Sequence, residues 1–135
     1  MKFNYKKLTK GLDRPIVRIE LKNPRSQQQI SFLALVDSGA DICLMPGDLA
    51  TLIGIDVAAG ERRDVGGVVA GERRPYYLHD IDLGVGGTFA KATVGFMTDL
   101  APNGYGLLGQ RGFFDRFSFV KFEHAKGTVE VGQHV

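Results

Sequence analysis

Apolar positions along this chain come in short runs separated by polar or glycine-bearing breaks, and the runs are mostly too short for helices. Residues 15–22, "PIVRIELK", set Ile16, Val17, Ile19 and Leu21 against Arg18, Glu20 and Lys22. That imperfect alternation predicts a half-exposed strand. "NPRSQQQ" then predicts a turn, and "ISFLALVD", residues 30–37, predicts the partner strand. Phe32 to Val36 are all apolar, which predicts an interior strand covered on both faces. "PGDLATLIGI", residues 46–55, has helical spacing: Asp48 is a candidate N-cap, Leu49, Leu52 and Ile53 form the apolar stripe, and Gly54 is the stop.

Beyond residue 60 glycine sets the punctuation. "DVGGVVAGERRPYY" reads as two strand-like pieces joined at Gly66, Gly67 and Gly71, too polar for a core hairpin and so expected to project. "YYLHDIDLGVGGTFAKATVGFM" predicts a regular hairpin turning at "GVGG". "GYGLLGQRGFFDRFSFVKFEHAKGTVEV" predicts a short apolar strand, a helix over 113–117 and a last hairpin turning at "HAKG". The sum is a mainly β, all-β class domain with one or two short helices. Residues 15–135 form the domain and 1–14 an amino-terminal segment.

Composition narrows the function classes. At 135 residues and 44% hydrophobic content the chain supports one core. Lys and Arg number 17 against 15 Asp and Glu, a net charge of +2, and the basic residues are scattered or paired. No nucleic-acid partner is expected. No segment approaches the roughly 18 apolar residues of a membrane span, and the polar start "MKFNYKKLTKGLDRPIV" lacks a signal-peptide core. A cytoplasmic protein without membrane partners is therefore expected.

Most chemical candidates have plain structural readings. His79, His124 and His134 are far apart and form no metal pattern. Cys43, the only cysteine, lies between Ile42 and Leu44 and reads as a buried thiol. Ser38 lacks the upstream glycine of a nucleophile elbow, and "GVGG" lacks the rest of a phosphate loop. Phe113, Phe114, Phe117, Phe119 and Phe122 read as core. No metal or cofactor is expected. Asp37 stands apart, because it ends an apolar strand and precedes a hydroxyl and then a glycine, Ser38 and Gly39. A carboxylate mounted in this way is suited to meeting a second group at close range.

With its Asp37-Ser38-Gly39-Ala40-Asp41 sequence after two apolar residues, its glycine-rich segment at 65–75, and "GLLG" at 106–109 before a short helix, the chain resembles the retroviral-type, or retropepsin-like, aspartic proteases. The resemblance implies a retropepsin-like closed β-barrel, one half of a two-fold symmetric aspartic endopeptidase. The chain has a single Asp-[Ser/Thr]-Gly, so the resemblance implies a homodimer with an Asp37 from each subunit and a polypeptide substrate. It further implies that Ser38, Gly39 and Ala40 support the active-site loop, with Gly39 also at the substrate. Asp41 either pairs with an arginine or binds the substrate backbone. Gly66, Gly67, Val68 and Val69 form a flap over the peptide, and Leu107 and Leu108 brace the loop and line subsites. Relatives often carry Arg after the second glycine; here Gln110 stands there, and Arg111 is the candidate partner of Asp41. The resemblance also places 1–14 as a flexible or dimer-interface segment. Two rivals remain: an inactive dimerisation or binding module of the same fold, and a small barrel that binds an apolar ligand with Asp37 as a turn residue.

Overall fold

A computed structural model describes residues 1–7, 11–66, 71, 73–101 and 104–135. Among them are twelve strands: β1 (Lys2–Asn4), β2 (Lys6–Lys7), β3 (Asp13–Arg14), β4 (Ile16–Lys22), β5 (Gln29–Val36), β6 (Cys43–Pro46), β7 (Glu61–Gly66), β8 (Arg73–Val85), β9 (Thr88–Met97), β10 (Gly106–Leu108), β11 (Val120–Glu123) and β12 (Thr128–Val131). The α-helix α1 spans Gly47–Leu52.

Six strands close a barrel in the order β4-β5-β10-β6-β9-β8, because β8 returns to pair with β4. The length of β8 makes closure workable. Its second half, Asp82–Val85, pairs with β4, while its first half, Arg73–Leu78, pairs with β7 and runs past the last β9 pairing at Tyr77. The turn between β8 and β9 is the two residues Gly86 and Gly87, with φ of 59° and 87°. Only glycine adopts that pair at little cost, and the result is the tight hairpin read from the sequence. A separate three-stranded sheet, β1-β12-β11, brings the two ends of the chain together.

The barrel interior follows the side-chain alternation. On β4, Val17, Ile19 and Leu21 are buried, and between them lie exposed Arg18 and half-buried Glu20. They meet Ala34 and Val36 of β5, Met45 of β6, Ile81, Leu83 and Val85 of β8, Val94 and Phe96 of β9 and Leu108 of β10. Completely burying one such side chain stabilises the fold by about 1.5–3 kcal/mol.

Several expectations need correction. β5 is interior, lying between β4 and β10, but its faces differ: Ile30, Phe32, Ala34 and Val36 belong to the core, whereas Leu33 and Leu35 are half-buried on the outer side. The N-cap of α1 is Pro46, and Asp48 sits in the first turn without a side-chain capping bond. Leu52 is 62% exposed, since a helix of six residues turns only Gly47, Leu49 and Ala50 inward. The helix expected over 113–117 is a 3-10 turn, Phe114–Arg116. Phe113 and Phe117 are buried as expected, but Phe119 and Phe122 face outward. Val120, two residues earlier on β11, packs against the core, whereas Phe122 is 40% exposed.

Candidate active site

The Asp37 loop arises where β5 runs out of partners. β10 lies parallel to the end of β5, with Leu107 opposite Leu35 and Leu108 opposite Val36. The last shared bond runs from the Asp37 N–H to the Leu108 carbonyl at 3.0 Å. The chain then folds tightly: the Gly39 N–H donates to Asp37 Oδ1 at 2.9 Å, and the Ala40 N–H donates to the Asp37 carbonyl at 3.2 Å. This is an Asx-type turn. It also fixes the carboxylate, holding one oxygen against the loop and leaving the other for different partners. Asp37 is half-buried, while Ser38 and Gly39 are exposed.

A second segment clamps this loop. The Gln110 N–H donates to the Ala40 carbonyl at 2.8 Å, and the Arg111 N–H donates to the Asp41 carbonyl at 3.0 Å. The Gln110 side chain goes further, with Nε2 donating to the Ser38 carbonyl at 2.8 Å. Approach this close requires Gly109, where a Cβ would press into the carbonyls of Ile42 and Ala40. Below it, Phe113 packs edge-on against Phe114 and Phe117 at 5.5 and 5.3 Å between ring centres. The Phe114 N–H returns to the Gly109 carbonyl at 3.2 Å.

The expected site residues fall into distinct groups. Asp37, Ser38, Gly39, Ala40 and Asp41 form one loop, braced by β10. Leu108 is wholly buried in the barrel and acts through its carbonyl, whereas half-buried Leu107 lies on the outer side and has surface to offer a ligand. Leu107 belongs to a row across four strands, Ile16, Leu35, Leu107 and Leu44, on the side opposite the core. Asp41 and Arg111 meet through their backbones, and no ion pair joins their side chains among the described residues. Gly66 ends β7, exposed and paired with Arg73; Gly67, Val68 and Val69 lie outside the described residues.

Gln110 is the residue that sequence reading undervalued. It stood only as the place where an arginine was missing, and nothing in the linear pattern ties an exposed glutamine to Ser38. Cys43 is buried as expected: its thiol donates to the Arg111 carbonyl and accepts from the Gly109 N–H, both at 3.4 Å. Burial pushes the thiol from 9.0 up to about 11, against a lesser opposing effect of the Gly109 N–H. His79 is structural, bonded to the Val57 carbonyl at 2.8 Å, and His124 and His134 are exposed. Among the described residues, no group of three or more His, Cys, Asp or Glu side chains is placed to hold a metal.

A closed barrel with an Asp loop braced by a parallel strand is the retropepsin-like architecture, and a solved structure shares that fold. The crystal structure of a retropepsin-like aspartic protease from Rickettsia conorii matches with a TM-score of 0.63 at 18% identity, covering 98% of this chain and 91% of that one. EIAV protease complexed with the inhibitor HBY-793 matches with a TM-score of 0.47 at 14% identity, over 72% of this chain and 82% of that one. No sequence-family model and no curated protein matches the chain. The chain has the all-β retropepsin-like fold.

Proposed function

We propose that the protein is an aspartic endopeptidase that works as a homodimer, with one Asp37 from each subunit at the two-fold axis. The observation that carries this reading is the Asp37 loop itself: a carboxylate held at one oxygen by the Gly39 N–H, on a loop clamped from below by Gly109 and Gln110. A turn residue alone has no need of that second clamp.

Two carboxylates brought within about 3 Å share one proton. The ionised carboxylate takes a proton from a water molecule as the water oxygen bonds to the scissile carbonyl carbon, and the protonated carboxyl gives its proton to the carbonyl oxygen. When the tetrahedral diol collapses, the C–N bond breaks, the departing nitrogen takes up a proton, and the pair returns to its starting state. Ser38 hydrogen-bonds across the axis, and Gly39 leaves room for the peptide backbone. The β7–β8 hairpin closes over the peptide and excludes water.

Dimerisation is supported by the sheet formed from the chain ends. In it β1 and β11 are edge strands, and Phe119 and Phe122 are 48% and 40% exposed beside it. Unpaired strand edges with aromatic residues nearby suit pairing with a second copy.

The test is incubation of the purified protein with a diverse peptide mixture from mild acid to neutral pH, reading new termini by mass spectrometry. Cleavage by the wild type and none by Asp37→Asn is expected. Equal cleavage by both would assign the activity to something other than Asp37, and no cleavage by either would favour the inactive binding module.

A further inference from the structure

A cavity of about 600 Å³ adjoins the Asp37 loop on the side where Ile42 and Arg111 pair in an isolated parallel bridge outside the strands. Ile42, Tyr76, Leu78, Ala90 and Ala92 give it an apolar floor. Gly95 keeps this floor open, since a Cβ there would run into Tyr76, Leu44 and Ile42. The charged lining is unbalanced: Arg63, Lys91, Arg111 and Arg116 against Asp115 alone.

The partners of these charges sharpen the imbalance. Asp115 accepts the Gly112 N–H at 3.0 Å and so belongs to its own turn. Arg63 is shared with Glu61 at 2.7 Å. Arg116 is 9% exposed, and its guanidinium donates to the carbonyls of Leu83 at 2.7 Å and Thr88 at 2.5 Å, with Nε unpartnered among the described residues. Lys91 and Arg111 are exposed and have no carboxylate partner among the described residues. Lys91, which lies opposite Asp82 in the β8–β9 ladder without an ion pair to it, and Arg111 therefore stand at the mouth of a cavity that begins one residue beyond Asp41, with the β7 strand contributing Arg63.

We propose that this cavity is a specificity subsite for an acidic side chain, so that the protein selects polypeptides carrying Glu or Asp a few residues from the bond to be cut. The proposal rests on the protease reading for the word substrate, but the charge preference is a property of the cavity itself. An acidic segment satisfies Lys91 and Arg111 while its aliphatic stem covers the apolar floor. A lysine in the same place meets the like charges of Lys91 and Arg111.

The experiment has a binding arm and a cleavage arm. Fluorescein-labelled peptides identical except for Glu, Gln or Lys at one position are titrated against full-length Asp37→Asn, and the same peptides are offered to the wild type. Glu peptides are expected to bind and be cut about five- to tenfold better than Lys peptides, with the ratio falling as salt rises from about 50 to 500 mM. In a Lys91→Glu, Arg111→Glu variant the ratio should invert; Lys91→Gln, Arg111→Gln, which adds no new charge, should flatten it. Equal binding of the three peptides, or a ratio unchanged in both variants, would overturn the subsite while leaving the protease reading intact. Selective binding without cleavage would remove the protease reading and uphold the cavity as an acidic-peptide site. Displacement of the Glu peptide by a single-stranded oligonucleotide of equal charge would overturn the proposal by marking a general polyanion surface.

Discussion

Gln110 donates its side-chain amide to the Ser38 carbonyl at 2.8 Å across 72 positions of sequence, while its backbone N–H donates to Ala40. One residue thus holds the Asp37 loop at two points. A neutral amide thus holds the loop by hydrogen bonds alone.

Gln110→Ala removes one of those two points and leaves the backbone clamp. A hydrogen bond of about 1 kcal/mol net corresponds to about a fivefold loss in turnover if the loop must be ordered for catalysis. Steady-state kinetics on a cleaved peptide should show kcat reduced with KM little changed. Gln110→Glu, which turns a carboxylate toward the Ser38 carbonyl, should be worse than Ala.

On the proposed reading two Asp37 carboxylates meet at the dimer axis, where like charges brought close together repel. Asp37→Asn keeps the shape and removes the repulsion. Sedimentation at neutral pH should find the variant at least as dimeric as the wild type and cleaving nothing; a variant markedly less dimeric than the wild type would sink the paired mechanism.

The projecting hairpin can be stiffened without touching the barrel. A Cβ at Gly66 would meet nothing within 4 Å, and its φ is not in the left-handed region, so Gly66→Val is sterically tolerated. On the proposed reading of this hairpin as a flap, the branched side chain narrows the backbone freedom its opening needs. Turnover should fall severalfold, while the melting temperature moves by no more than about 2 °C.

Cys43 should tie stability to alkaline pH. Its thiol is raised in the folded state, so between about 9 and about 11 the unfolded chain releases the proton while the folded chain keeps it. The group's contribution is complete below the unfolded value and is lost as pH rises through that window. Denaturant titrations of wild type and Cys43→Ala at pH 8 and 10.5 should show a steeper decline in the wild type. Below pH 8 the native thiol should resist alkylation until the protein unfolds.

Local pattern carried most of the architecture. Alternation along 15–22, the diglycine turn at 86–87 and the Asp-Ser-Gly sequence each act within a few residues, where backbone sterics and side-chain period decide the outcome. The β4 strand, the β8–β9 hairpin and the turn bearing Asp37 were legible for that reason. Position along a helix or strand, by contrast, does not say how far an element reaches. Leu52 has the spacing of a core residue, yet its helix stops too soon to bury it, and Phe122 is 40% exposed although Val120 on the same strand packs against the core. Contacts across long separations were settled only by packing. Closure of β8 onto β4, the pairing of Leu107 with Leu35, the need for glycine at 109 and the grip of Gln110 on Ser38 all depend on which segments the shared core draws together. A hydrogen bond between residues 72 apart has no local signature, because its energy depends on a distance that only the folded barrel sets.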